Sequence, residues 1–341
     1  MKVNGKRVFV TGGAGFIGSA LVRELLKDGA EVIVFDNFLS GKIQNLLEVQ
    51  DSIKVIKGDI RDENLDKVLK DNQIEIVFNL AAEPYIPHCY ERPHQFFDIN
   101  AGGALNVMFA CIKANVERVL QYSTSEVYGT AKYVPMDEHH PTIPHSTYAV
   151  SKLAADRLCF TLFHEQKLPV VIMRQFNVFG PRETQPYVIP ELISQLNQGN
   201  KLKLGNISSR RDFTFVTDAA RAAITLIECD KAIGEVVNMG YGSDYSIEQM
   251  AYMIADLMKV SDATIDVQNN RLRPLDVNHL NCDNSKIKRL TGWEPEVDFI
   301  TGLKLTINHF YESGCKWPWE TTFGTTEEIW SGKRLQANQN K

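Results

Sequence analysis

The sequence predicts an α/β protein, a doubly wound parallel sheet carrying a smaller α/β substrate-binding cap. Three observations lead there. Short apolar runs alternate with helical patterns over the first half of the chain, the rhythm of parallel strand–helix–strand units. Near the N-terminus a glycine-rich turn joins one such strand to a helix. After Pro181 the alternation loosens, as expected where a chain leaves its main sheet. The expected division is residues 1–180 for the sheet domain, with 213–240 returning to it, 181–212 and 241–315 for the cap, and 316–341 for a C-terminal tail.

Lys6 to Val10 reads as a buried strand and leads into Thr11-Gly12-Gly13-Ala14-Gly15-Phe16-Ile17-Gly18. The helix that follows carries Ile17, Leu21, Val22, Leu25 and Leu26 at helical spacing, and Gly29 is placed to close it. Val32 to Phe35 then runs out at Asp36-Asn37. Strand, glycine turn, helix, strand and acid together form the Rossmann-type dinucleotide-binding context. Glycines let backbone approach a pyrophosphate, whose charge meets the helix N-terminus. A carboxylate at Asp36 suits a free ribose and repels a 2′-phosphate, so NAD is the expected cofactor. Gly12, Gly15, Phe16, Ile17, Gly18, Asp36 and Asn37 are its expected contacts. A purely structural glycine turn is the alternative.

Three more strand ends follow, and open α/β sheets bind ligands beyond such ends. Ile53 to Lys57 leads to Gly58-Asp59-Ile60, an expected adenine edge at Asp59 and Ile60. Ile74 to Leu80 leads to Ala81-Ala82-Glu83, small residues that let backbone come close to the nicotinamide side. Phe96 to Ala114 reads as a helix with Asn100 early in it. Arg118 to Tyr122 ends at Ser123-Thr124-Ser125-Glu126-Val127-Tyr128-Gly129. Leu80, Ala81, Ala82, Asn100 and Ser123 join the expected cofactor contacts.

Tyr148-Ala149-Val150-Ser151-Lys152 opens the next helical pattern, and residues four apart share a helix face. A phenol titrates near 10 and is a poor base at neutral pH. The Lys152 ammonium one turn away, with a cationic nicotinamide, is expected to favour the Tyr148 phenolate. Thr124 would then hold a substrate hydroxyl while Tyr148 takes its proton. A Tyr-x-x-x-Lys spacing alone means little; paired with the strand-end Thr124 and the glycine turn it is specific. Val170 to Arg174 forms another strand and continues through Gln175-Phe176-Asn177, with Gln175 a further cofactor contact.

In the cap, Tyr187 to Leu196 reads as a helix and Leu202 to Leu204 as a strand. Arg210 to Val216 reads as a strand, Asp218 to Glu228 as a helix, and Arg273-Pro274-Leu275-Asp276 as a loop. Arg211 and Arg273 are candidate diphosphate clamps, because guanidinium forks match phosphate oxygens. Two solvated surface arginines are the alternative. Trp293, Trp317, Trp319 and Trp330 all lie late in the chain, and Trp317 and Trp319 are expected to pack on the body or a partner. Arg334 to Lys341 is polar and expected to fray.

A net charge of −5 argues against a nucleic-acid binder. No apolar run reaches the roughly 18–20 residues of a membrane span, and the start carries no signal-peptide pattern. Six scattered cysteines without a Cys-x-x-Cys pair read as reduced thiols of a cytoplasmic protein, and the histidines lack zinc spacing, so no metal is expected.

Taken together, TGGAGFIG at 11–18, YAVSK at 148–152, RQFNVFGPR at 174–182, RRDFTFV at 210–216 and RPLDV at 273–277 resemble the extended short-chain dehydrogenase/reductase family. Within it the chain resembles the nucleotide-sugar 4,6-dehydratases and epimerases, from Arg7 to about Phe310. Glu126 decides the sub-family. Epimerases of the family usually have a small residue there, the dTDP-glucose 4,6-dehydratases have Thr-Asp-Glu, and the GDP-mannose dehydratases have Thr-Ser-Glu, as at Thr124-Ser125-Glu126. Bacterial dehydratases acting on nucleotide-linked N-acetylglucosamine are also similar. The resemblance implies a catalytic set of Thr124, Ser125, Glu126, Tyr148 and Lys152, with Glu126 as base toward C5 of a 4-keto sugar. Ser125 departs from the aspartate that serves as acid in the dTDP-glucose enzymes, so Glu126 is expected to hand its proton on. The resemblance further implies substrate contacts at Glu83, Tyr85, Asn177, Tyr187, Val188, Leu204, Arg211, Arg273 and Asp276. It also implies a nucleotide-diphosphate sugar as ligand and a homodimer through helices 96–114 and 147–164. A 4-epimerase is the rival reading.

Overall fold

The computed structural model describes residues 1–320 except Pro274. Pro274 of the RPLDV motif, Trp330 and the polar end from Arg334 to Lys341 lie outside the described residues. Twelve strands follow in order: β1 (Arg7–Thr11), β2 (Glu31–Asp36), β3 (Ile53–Lys57), β4 (Ile76–Asn79), β5 (Arg118–Thr124), β6 (Val170–Gln175), β7 (Asn177–Phe179), β8 (Lys201–Leu204), β9 (Arg210–Phe215), β10 (Val236–Met239), β11 (Asp244–Ser246) and β12 (Thr264–Val267). Seven of them form one sheet in the order β10-β6-β5-β4-β1-β2-β3, and its pairings are all parallel. The order reverses between β1 and β4, which opens a crevice at their carboxyl ends.

Both faces of this sheet are buried, and alternation along β1 shows it. Val8 and Val10 join Leu21 and Val22 of the helix Phe16–Lys27 and Ala219 to Ile227 of the helix Val216–Glu228. Phe9 points the other way, into a core with Val107, Met108 and Cys111 of Ala104–Ala114 and Cys159 and Leu162 of Thr147–Gln166. Period-two side chains buried on both faces explain why the strands read as continuous apolar runs.

The helix expected over Phe96–Ala114 is interrupted. An α-turn over Pro93–Phe97 passes into a π-segment, Asp98–Gly103, before Ala104–Ala114 resumes. The extra residue of a π-turn rotates the side chains that follow, and Asn100 sits inside it.

The remaining strands make a three-stranded sheet, β11-β9-β7, and a β12–β8 pair. β9 therefore pairs outside the large sheet, and the chain re-enters that sheet at β10. A separate core of Phe179, Leu192, Phe213, Phe215, Ile254, Phe299 and Phe310 binds these small sheets to their helices. Trp317 and Trp319 are both buried in it, Trp317 stacking on Phe310 with ring centroids 5.2 Å apart.

Candidate active site

A cleft of about 400 Å³ runs from the β1–β4 crevice to the cap. Its first wall is the glycine turn. Gly12 has φ +68, and a Cβ there would lie 3.0 Å from the Ala81 nitrogen. At Gly18 a Cβ would stand 2.2 Å from the Gly12 oxygen. These positions need glycine because two backbones and a helix meet there. The helix Phe16–Lys27 has Gly15 as N-cap and no side chain capping it, so its first N–H groups open onto the cleft.

Asp36 lines the same end. Its two carboxylate oxygens accept from Ala14 N at 3.0 Å and Phe38 N at 2.8 Å, which fixes the glycine turn against β2. Burial nevertheless pushes its carboxyl above the usual range, with those two hydrogen bonds opposing. Asn37 donates to Asp59 at 3.1 Å, and the Arg61 guanidinium beside Asp59 holds that carboxyl far below the usual range. On the other side of the crevice the Thr11 hydroxyl donates to Asn79 at 2.6 Å and accepts from Leu80 N and Ala81 N, both at 3.1 Å. Asn79 in turn donates to Gln121 at 2.7 Å. This buried chain sets the ends of β1, β4 and β5 beside one another.

The reacting end gathers around Tyr148. Thr124 ends β5, its hydroxyl accepting from Glu126 N at 3.2 Å, and it lines the cleft with the Tyr148 phenol. Ser125, Glu126 and Tyr148 are all buried and line the cleft. Burial pushes the Tyr148 phenol above its usual range; the Thr124 hydroxyl opposes this and the Glu126 charge adds to it. The Lys152 ammonium donates to the Tyr122 carbonyl at 2.6 Å. Burial pushes Lys152 down to about 8. The i,i+4 spacing puts the two side chains on one face, and the Tyr122 carbonyl anchors the ammonium.

Behind this end lies a buried network that the motifs did not suggest. Ser123 donates to Asp156 at 2.9 Å, Asp156 pairs with Arg174 at 2.9 Å, and Arg174 donates to the Tyr128 hydroxyl at 3.0 Å. It locks β5, β6 and the tyrosine helix together. Ser123 thus faces the cleft while spending its hydroxyl on Asp156.

Of the residues expected from the sequence, Gly12, Gly15, Phe16, Ile17, Gly18, Asp36, Asn37, Asp59, Ile60, Leu80, Ala81, Ala82, Ser123 and Gln175 line the cofactor end, with Tyr148 and Lys152. Glu83, Tyr85, Asn177, Tyr187, Val188, Leu204, Arg211, Arg273 and Asp276 line the cap end. Asn100 does not line the cleft. It stands behind, donating to the Glu83 carbonyl at 3.1 Å and the Ser151 hydroxyl at 3.0 Å while accepting from Glu83 N at 2.8 Å. The π-turn that no pattern signalled aims it there.

Arg211 is buried, not a solvated surface cation. Its guanidinium lies 3.7 Å from Asp276, and Arg273 reaches the same carboxylate oxygen at 3.8 Å. Two cations converging loosely on one carboxylate can turn to a diphosphate without breaking a tight pair. Glu126 also acts on Arg211, offsetting part of the burial that pushes Arg211 down. Arg271 and Glu191, a buried ion pair in the same wall, were missed. Neither lies in a recognisable motif.

A family model described as GDP-mannose 4,6 dehydratase matches residues 9–306. The chain belongs to this family, within the extended short-chain dehydrogenases/reductases. It is 32% identical over 323 residues to the human dTDP-D-glucose 4,6-dehydratase, covering 92% of each chain. It is 35% identical over 320 residues to a UDP-N-acetyl-alpha-D-glucosaminuronate decarboxylase of Bacillus cytotoxicus, covering 90% of this chain and 98% of the relative. The structure of DesIV, a dTDP-glucose 4,6-dehydratase of Streptomyces venezuelae with NAD and TYD bound, matches with a TM-score of 0.85 and 29% identity over 91% of this chain and 98% of that one. Solved UDP-sugar 4-epimerases match at TM-scores of 0.83. The expectation of NAD agrees with neighbours determined with NAD bound. Dehydratases, decarboxylases and epimerases thus stand at similar distance from this chain.

Proposed function

We propose that this chain is an NAD-dependent nucleotide-sugar 4,6-dehydratase, converting an NDP-hexose to an NDP-4-keto-6-deoxyhexose. The observation that carries the reading is Glu126, a buried carboxylate in the cleft whose charge acts on both Tyr148 and Arg211. It shares the cleft with the proton acceptor for a sugar hydroxyl and the cation for a diphosphate. NAD, held by the glycine turn and Asp36, would supply the hydride acceptor for C4 and the hydride donor for C6. Tyr148, in the cleft with Thr124, removes the proton of the C4 hydroxyl. The C4 ketone acidifies the C5 hydrogen, which Glu126 removes as a proton. The C6 hydroxyl leaves as water, carrying the proton that Glu126 hands on while Ser125 holds the oxygen. A proton finally returns to C5, and the net change is loss of one water.

Arg211 and Arg273 hold the diphosphate, and Asn177, Tyr187, Val188 and Leu204 enclose the nucleotide sugar in this reading. Exposed Phe97, Phe109, Val150 and Phe160 lie on helices 93–114 and 147–166 and form the face through which a cytoplasmic homodimer would assemble. The matching epimerases support a 4-epimerase as second reading, in which Glu126 has no C5 proton to move. Glu126→Gln tests the assignment. The variant is expected to lose water elimination and solvent-hydrogen exchange at C5, by about 10²- to 10⁴-fold, the size of a general-base contribution. Unchanged turnover would remove Glu126 from the role.

A further inference from the structure

Glu126 sits in a 3₁₀ turn of four residues, Ser125–Tyr128. So short a turn makes few hydrogen bonds of its own, and its orientation is set by what holds its ends. Upstream, Thr124 Oγ1 accepts from Glu126 N. Downstream, Gly129 N donates to the Glu126 carbonyl at 3.2 Å, and Ile143 N donates to the Tyr128 carbonyl at 3.3 Å. Gly129 has φ +67, and a Cβ there would stand 2.1 Å from the Ile143 oxygen.

The side chain that closes the turn reaches much further. Tyr128 is fully buried and does not line the cleft. Its hydroxyl accepts from Arg174 Nη1 of β6 at 3.0 Å and donates to Asn238 Oδ1 of β10 at 2.7 Å. Asn238 is itself fully engaged: its Nδ2 donates to the Met136 carbonyl at 3.0 Å and its backbone N–H to the Glu138 carboxylate at 2.7 Å. Arg174 is held in turn by Asp156, which also accepts from Ser123. One buried network therefore grips the chain on both sides of Glu126, at Ser123 before it and at Tyr128 after it. The Tyr128 ring packs on His140 and Phe176, with centroids 5.4 Å and 6.4 Å away, and phenylalanine would keep both contacts. What the hydroxyl adds is the tie to β6 and β10.

We propose that Tyr128 and Asn238 are positioning residues for Glu126, fixing the turn so that its carboxylate is aimed at the C5 proton. This rests on the dehydratase reading above. A general base works only within hydrogen-bond reach of the proton it removes, so a small rotation of the turn is costly. Tyr148 is placed independently, on a helix capped by Ser146, whose Oγ accepts from Ala149 N at 3.1 Å. The C4 step should therefore survive loss of the tie while the C5 step suffers.

The test uses the full chain carrying NAD and whichever of dTDP-glucose, GDP-mannose and UDP-N-acetylglucosamine the wild type converts. Wild type, Tyr128→Phe, Asn238→Leu and the double variant are compared. Nicotinamide reduction on mixing, solvent-hydrogen exchange at C5, KM, bound NAD and Tm are measured for each. Tyr128→Phe is expected to slow C5 exchange and product formation about tenfold, the weight of one buried hydrogen bond. Nicotinamide reduction, KM and bound NAD should stay as in wild type, so that reduced nicotinamide accumulates during turnover. Asn238→Leu should slow the same step, and the double variant should be no slower than the slower single one, because both remove one tie. Equal slowing of nicotinamide reduction and C5 exchange, unchanged C5 exchange, or additive losses would each overturn the proposal. A wild type that binds these sugars yet neither exchanges C5 hydrogen nor releases water would instead bring down the dehydratase reading.

Discussion

The two ends of the cleft differ in how far their polar groups are paired. At the cofactor end Asp36 accepts two backbone N–H groups and the Thr11–Asn79–Gln121 chain closes the crevice between β1, β4 and β5, while Gln175 Oε1 and the Tyr122 hydroxyl keep no partner. At the cap end Glu183, Gln185 and Asn177 keep buried atoms without partners, and Arg211 and Arg273 hold Asp276 only loosely. A closed network suits a ligand held through every turnover; an open one suits a substrate that must enter and leave.

The largest expected effect is at the junction of the two ends. Tyr148→Phe should lower kcat by about 10³-fold with NAD still bound, as general acid–base contributions run; a loss of bound NAD instead would move Tyr148 into cofactor binding alone. Trp317→Ala should destabilise the cap core by about 3–5 kcal/mol, the range for a buried large aromatic, measured by denaturant unfolding. Arg211→Ala should raise KM for an NDP-sugar by about 10- to 100-fold, in line with a charged hydrogen bond, and affect NAD binding little. A matching loss of NAD would erase the distinction between the ends.

The smallest effect concerns pH. Burial pushes Asp212, beneath the small sheets, up to about 7, against hydrogen bonds from the backbone N–H groups of Cys282, Gly242 and Tyr241. An unfolded aspartate ionises near 3.9. The folded form thus binds the proton more tightly, and stability falls as pH rises from about 4 to about 7. Asp212→Asn should flatten this part of the Tm profile, and an unaltered slope would contradict it.

The cofactor end was legible because its chemistry is done by backbone. A glycine turn, strand ends and an acid at a strand terminus leave a local pattern, and fourteen of the fifteen expected contacts beyond Tyr148 and Lys152 face the cleft. Asn100 was misplaced because a π-turn, set by packing between helices, leaves no such pattern. Lys152 shares a face with Tyr148 as its spacing requires, and its Tyr122 carbonyl partner, thirty residues away, left no trace in that spacing. Arg271 and Glu191 were invisible for another reason. They act through contacts across the cap, where the residues that meet are far apart in the chain.

One measurement bears most directly on the chemistry assigned to Glu126: mass spectrometry of products after the NAD-carrying chain is incubated with a panel of NDP-hexoses. A product one water lighter than its substrate, with solvent hydrogen at C5, is the predicted result. A product of unchanged mass and altered C4 configuration would contradict it and make the chain an epimerase.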